Sequence, residues 1–185
     1  MTLAVLILAG GHGTRIGGGK PLQLLAGRTF LDRAIECARQ WSDEIAIAAR
    51  AIEQVGETGL TVLLDAPELD GPIAGLASAR RLDCSTVLTI PCDTPFLPTD
   101  LPGRLFEGLA DNHAALAASA GYVHPVCGLW RTDALARIGD YAASGRRSLI
   151  GFAETIGYAA VEWPDDPFFN VNSPEQLAEA EARLR

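Results

Sequence analysis

Residues 3–9 read LAVLILA, seven apolar positions in a row that end at a glycine pair. An unbroken apolar run of this length predicts a central parallel strand covered on both faces. Apolar positions then recur at Phe30, Leu31, Ala34, Ile35, Ala38 and Trp41, the spacing of one helix face. Thr29 is placed to cap that helix, with Asp32 in its first turn. Short apolar runs at 44–49 and 60–65 predict strands, and 73–82 predicts a helix after the breaker "DGP". Residues 85–93 read as a strand running into a loop. Residues 98–110 are helical in part, with Pro102 and Gly103 blurring the start. Runs at 113–119 and 122–130 can pair as strands across "AG". Residues 131–143 and 146–156 pattern as helices and 158–163 as a strand. The last helix, 173–185, has Ser173 at its N-cap, Pro174 at N1 and Gln176 completing a capping box. Strands alternating with amphipathic segments imply β-α-β units, an α/β fold and a mostly parallel sheet. No repeat, low-complexity tract or linker interrupts the pattern, so 1–185 is expected to be one domain.

Composition narrows the function classes. A net charge of −8 and a pI near 4.8 argue against a nucleic-acid or membrane-surface binder, which needs a basic footprint. A local cationic pocket for an anionic small ligand stays open. Cys37, Cys84, Cys92 and Cys127 form no C-x-x-C pair and the three histidines are scattered, so no structural zinc is expected. The cysteines read as free thiols packed in a core, as in a reducing cytoplasm. The apolar start lacks a basic flank and is too short to span a bilayer. It reads as a buried strand of a cytoplasmic protein.

The chemistry concentrates in "LAGGHGTRIGGGKPL", residues 8–22, which holds six of the nineteen glycines and the only lysine. Glycines let backbone N–H groups approach a phosphate closely. Arg15 can fork onto phosphate oxygens, whereas Lys20 is a compact point charge. A lysine placed by chance and a plain surface loop are the competing readings, and phosphate binding is favoured over both. The loop is neither a Walker A motif, since no Ser or Thr follows Lys20, nor G-x-G-x-x-G. In "TVLTIPCDTPFLP", Asp93 lies just past a strand, either as a turn cap or as a carboxylate holding Mg²⁺ beside a triphosphate. Its expected nearness to the glycine loop favours the metal. Asp65, at another strand end, can accept from a ribose or base, but the residues alone favour a strand-end cap. His12 reads as incidental rather than catalytic, and Arg146-Arg147 as a solvated helix face rather than a phosphate site.

Taken together, "LILAGGHGTRIGGGKPL", "DGPIAGL", "IPCDTPFLPTDL", "HPVCGLW" and "FFNVNSPEQL" resemble the molybdenum cofactor guanylyltransferase family, within the glycosyltransferase-A-like nucleotidyltransferases. The resemblance spans nearly the whole chain, in the family's order. It implies a three-layer α/β/α fold, a mostly parallel Rossmann-like sheet with one antiparallel strand. It also implies an activity: GTP and the phosphate of molybdopterin, or of its molybdenum-loaded form, give the guanine dinucleotide cofactor and pyrophosphate. By residue, Leu8, Ala9, Gly10, Gly11 and Gly13 match the nucleotide loop, and Arg15 and Lys20 its phosphate-facing cations. Asp65 matches the nucleoside-side aspartate, Asp93 the Mg²⁺ and GTP ligand, and His124, Asn170 and Asn172 the pterin side. Implied partners are GTP, the pterin and molybdoenzyme maturation proteins, with Mg²⁺ as cofactor. "WPDDPFF" at 163–169 either walls the pterin pocket or packs in the core. Two features depart from the family pattern: Gly19 stands where an Asp usually precedes the lysine, and no asparagine follows the second strand. The rivals are a cytidylyl- or sugar-phosphate nucleotidyltransferase and a nucleotide-binding partner protein without chemistry.

Overall fold

The apolar run at the start forms strand β1, Leu3–Leu8, whose middle four residues are buried. The computed structural model describes residues 2–10 and 19–184. Strands β2 (Leu24–Leu25) and β3 (Arg28–Thr29) follow as a small antiparallel hairpin. Next come α1 (Phe30–Ala38), β4 (Ile45–Ala49), β5 (Thr61–Leu64), α2 (Pro72–Ser78) and β6 (Thr86–Pro91). The remainder is α3 (Leu101–Leu109), β7 (Ala114–Ser119), β8 (Tyr122–Arg131), α4 (Ile138–Ala143), α5 (Leu149–Ile156), β9 (Tyr158–Trp163) and α6 (Pro174–Arg183).

Seven strands form one sheet in the order β5-β4-β1-β6-β8-β7-β9. Only β8 runs antiparallel to its neighbours, so the mostly parallel sheet with one antiparallel strand holds. Alternate residues of β1 feed opposite layers, as the two-residue period of a strand requires. Val5 and Ile7 pack with α1 and α3, and Leu6 packs with α2, α4 and α5. A third, small cluster joins Leu25 and Phe30 to Val171 and Ala180, tying the β2–β3 hairpin to α6.

The predicted elements are present, with informative differences. Residues 73–82 form α2 only to Ser78 and then tighten into a 3₁₀ turn at Ala79–Arg81. Residues 132–137 are likewise 3₁₀ before α4 begins. The helix start blurred by Pro102 falls at Leu101, where a proline in the first turn removes an N–H that had no partner anyway. The β7–β8 hairpin turns through Ala120 (φ 50) and Gly121 (φ 80), the two positive φ values of a type I′ turn. The same Ala-Gly pair closes β2–β3 at Ala26 (φ 48) and Gly27 (φ 79). Arg146 and Arg147 lie in the loop between α4 and α5, not on a helix face. There Arg147 Nη1 donates to the Ala142 carbonyl at 2.5 Å and Arg146 covers the Tyr141 ring. All four cysteines are free thiols; Cys92 and Cys127 are buried, Cys37 and Cys84 partly so. No helix among the described residues is long and apolar enough to cross a membrane.

Candidate active site

Strands β1 and β6 are parallel neighbours at the centre of the sheet. The sheet continues from β1 to β4 on one side and from β6 to β8 on the other. This is the point where open α/β sheets leave a crevice at their carboxyl ends. Ala9 N–H donates to the Ala48 carbonyl at 2.8 Å and Cys92 N–H to the Leu8 carbonyl at 3.2 Å. These bonds carry the ladder one residue past each strand, so that Leu8, Ala9 and Gly10 run alongside Cys92 and Asp93.

Lys20 opens a 3₁₀ turn, Lys20–Leu22, preceded by Gly19 in the left-handed region at φ 60. Only 8% of Lys20 is exposed. Its ammonium is ion-paired with Asp93 Oδ2 and donates to Asn172 Oδ1 at 2.5 Å. Two of three donors are thereby committed, and the third remains for another acceptor. Three donors diverging from one nitrogen suit this corner better than a planar guanidinium, a physical reason for lysine in a chain that otherwise uses arginine. A Cβ at Gly19 would meet nothing within 4 Å. The Gly19 φ of 60 is nonetheless one that side chains rarely adopt, so an Asp there would strain this turn.

The segment before α6 is locked onto the same corner. Val171 N–H donates to the Asp93 carbonyl at 3.0 Å, and Thr94 Oγ1 donates to Asn170 Oδ1. Ser173 Oγ caps α6 by accepting from Gln176 N–H at 3.3 Å. The Gln176 side chain, expected to close a capping box on Ser173, instead accepts from Asn172 N–H at 2.7 Å. That bond orients the asparagine facing Lys20.

Asp65 follows β5, two strands from β1. Its carboxyl sits against the backbone of Gly10 and Gly75, so closely that a Cβ on Gly10 would overlap Asp65 Oδ2. Asp65 Oδ1 is buried without a hydrogen-bond partner. This differs from the expected strand-end cap: among the described residues no backbone N–H donates to this carboxyl. Burial pushes its pKa above the usual carboxylate value, with Arg50 pulling it back. Ionised Asp65 thus costs stability, a cost absent below its ordinary pKa near 3.8 and growing as pH rises through the raised value. Asp65→Asn should therefore raise the melting temperature at pH 7 relative to wild type, with the difference vanishing near pH 3.5, as read by thermal melts. Gly10→Ala should do the reverse: overpacking against Asp65 costs about 1–3 kcal/mol and weakens nucleotide binding, measured by denaturation and titration.

His124 lies on β8, half-buried, its ring 4.8 Å from that of Phe168. Burial lowers its pKa against the pull of Asp166 and Glu162. Phe168 in turn meets Trp163 edge-on at 5.3 Å. Both are buried in the core, whereas Phe169 is partly exposed, with the Arg183 guanidinium over its ring at 4.3 Å. Ser119 Oγ lies 2.8 Å from His124 Nε2 and donates to Asp166 Oδ1 at 3.1 Å. Ser119 belongs to no motif in the sequence, and Asp166 lies within "WPDDPFF", where the aromatics rather than the acid drew attention. Gly11, Gly13 and Arg15, with His12, lie outside the described residues.

A glycine-rich sequence after the central strand, with a lysine–aspartate pair at the sheet's switch point, defines a nucleotidyltransferase of the glycosyltransferase-A-like fold. The crystal structure of molybdopterin-guanine dinucleotide biosynthesis protein A from Archaeoglobus fulgidus is similar, with TM-score 0.81 and 22% identity over 98% of each chain. So is 2-C-methyl-D-erythritol 4-phosphate cytidylyltransferase from Thermus thermophilus, with TM-score 0.74 and 22% identity over 99% of this chain and 98% of that one. Residues 5–156 match the MobA-like NTP transferase domain. A molybdenum cofactor guanylyltransferase from Cereibacter sphaeroides is 39% identical over 100% of this chain and 98% of its own length. The chain belongs to the MobA-like NTP transferase family.

Proposed function

We propose that this protein transfers GMP from GTP to the phosphate of molybdopterin or of its molybdenum-loaded form, releasing pyrophosphate. The observation that carries the reading is the Lys20 ammonium joining Asp93 to Asn172 at the sheet's switch point, in a chain 39% identical to a molybdenum cofactor guanylyltransferase. In the reaction a phosphate oxygen of the pterin forms a bond to the α-phosphorus of GTP, and the bond to the β-phosphate oxygen breaks. The nucleophile is already anionic, so no strong base is required. The protein has to align two anions and offset their charge.

Leu8, Ala9 and Gly10, continued by Gly11 and Gly13, hold the nucleotide by backbone contact. Asp65 accepts from the nucleoside. Asn170, Asn172 and His124 face the acceptor. Lys20, between the two sides, offers its remaining donor to the α-phosphate, and Arg15 to the leaving pyrophosphate.

Nucleotidyltransferases of this kind typically need a divalent metal, and the residues suit Mg²⁺. Among the described residues no three His, Cys, Asp or Glu side chains gather into a cage. Mg²⁺ needs none: it takes one or two carboxylates and fills its sphere with phosphate oxygens and water. Asp93 would hold it, and when bound the ion neutralises phosphate charge.

The test is pyrophosphate release with the pterin phosphate present, comparing GTP with CTP, with and without Mg²⁺. Release with GTP only, dependent on both pterin and Mg²⁺, is expected. Preference for CTP would make the protein a cytidylyltransferase. Nucleotide binding with no release under any condition would make it a binding protein.

A further inference from the structure

His124 projects from a distorted stretch of β8. The pairing of β7 with β8 jumps from Leu116↔Gly128 to Ala117↔His124, so Pro125, Val126 and Cys127 bulge between them. Bulges re-aim side chains next to functional sites. Three contacts then fix the ring: Phe168 lies against it at 4.8 Å, Ser119 Oγ meets Nε2 at 2.8 Å, and Ser119 in turn reaches Asp166 at 3.1 Å. Phe168 is two residues from Asn170, whose neighbour Val171 is bonded to Asp93. The ring, on β8, therefore packs against the same loop whose Asn172 meets Lys20.

The hydrogen-bond directions in this chain are set by Asp166. An ionised carboxylate only accepts, so the single Ser119 proton points at Asp166. Ser119 Oγ can then only accept from the histidine, and Nε2 must carry the hydrogen. Were Ser119 to donate to Nε2 instead, two lone-pair oxygens would face each other at 3.1 Å. Among the described residues no hydrogen bond reaches Nδ1.

We infer that Ser119 and Asp166 are positioning residues that hold His124 as its Nε2–H tautomer, so that Nδ1 accepts a hydrogen bond from the acceptor substrate. This rests on the proposed placement of His124 on the acceptor side. The lone pair at Nδ1 recognises an O–H or N–H donor, such as a protonated phosphate monoester or a ring N–H. The imidazole stays neutral at pH 7 and above because burial disfavours its charged form. It can then accept there, which an imidazolium cannot.

The test is long-range ¹H–¹⁵N NMR of histidine-labelled protein at pH 8, the His124 signals assigned by their loss in His124→Ala. Wild type should show the Nε2–H pattern. Asp166→Ala, at an exposed position, frees the Ser119 proton to donate to Nε2 and should move His124 toward Nδ1–H. Ser119→Ala should leave a mixture, and Ser119→Thr should restore Nε2–H. In steady-state assays Ser119→Ala and Asp166→Ala should raise the acceptor KM about threefold to tenfold, leaving the nucleotide KM unchanged. An unchanged tautomer in both variants, or an equal rise in both KM values, overturns the inference. An acceptor KM that stays at the wild-type value in His124→Ala overturns the placement of His124 instead.

Discussion

Lys20→Ala should lower kcat by about 10²–10³-fold while leaving the fold in place. Lys20 is the only side-chain cation bonded to both Asp93 and Asn172 among the described residues. Removing it takes away a charge-assisted donor at the proposed α-phosphate position, the kind of loss worth about 2.7–4 kcal/mol of transition-state stabilisation. It also frees Asn172 Oδ1, so the acceptor KM should rise as well. The fold should persist because Gly19 and Pro21 shape the turn through the backbone. Circular dichroism should match wild type. Lys20→Arg should recover little, because a planar fork cannot point at three acceptors from one atom. Full turnover by Lys20→Ala would remove Lys20 from the reaction.

The largest effect on stability should come from Trp130→Ala, about 3–5 kcal/mol. Trp130 is fully buried on β8, stacked near Phe152 of α5 with ring centroids 6.1 Å apart and planes 24° from parallel. Its Nε1–H donates to Thr89 Oγ1 at 3.0 Å, and Thr89 donates onward to the Gly128 carbonyl at 3.1 Å. Gly128 is itself shaped to the indole: a Cβ there would lie 3.1 Å from Trp130 Nε1. Truncation empties the volume between the sheet and α5 and strips Thr89 of one partner. For a chain of this size the melting temperature should fall by about 6–20 °C. Trp130→Phe should cost less, since it keeps most of the apolar volume. A drop under 2 °C for Trp130→Ala would mean that the layer repacks. The two variants separate the functions of the molecule, one losing rate without stability and the other stability without a change at the site.

Much of the fold was legible because strands and helices write their burial into short-range periodicity. The run 3–9, the Phe30–Trp41 stripe and the Ser173 cap each depend on neighbours within one or two turns. The β7–β8 hairpin was legible from a single dipeptide, Ala120-Gly121. The β2–β3 hairpin carries the same dipeptide but gives no periodic signal, since strands of two residues are too short to show a period. Gln176 was recognised as a capping residue, but its partner shifted by one position to Asn172. Which of two adjacent N–H groups it serves depends on how the loop is held by Asp93.

The chain's local chemistry determined the elements, their order and the residue types available for phosphate and metal, because these follow from periodicity, turn geometry and charge along the backbone. Tertiary structure alone decided that Lys20 meets partners 73 and 152 residues away. It also left Asp65 Oδ1 without a partner and built the Ser119–Asp166 contact beside His124. Contacts of that separation form only when strands from distant parts of the chain align their ends, and no short stretch of sequence encodes that alignment.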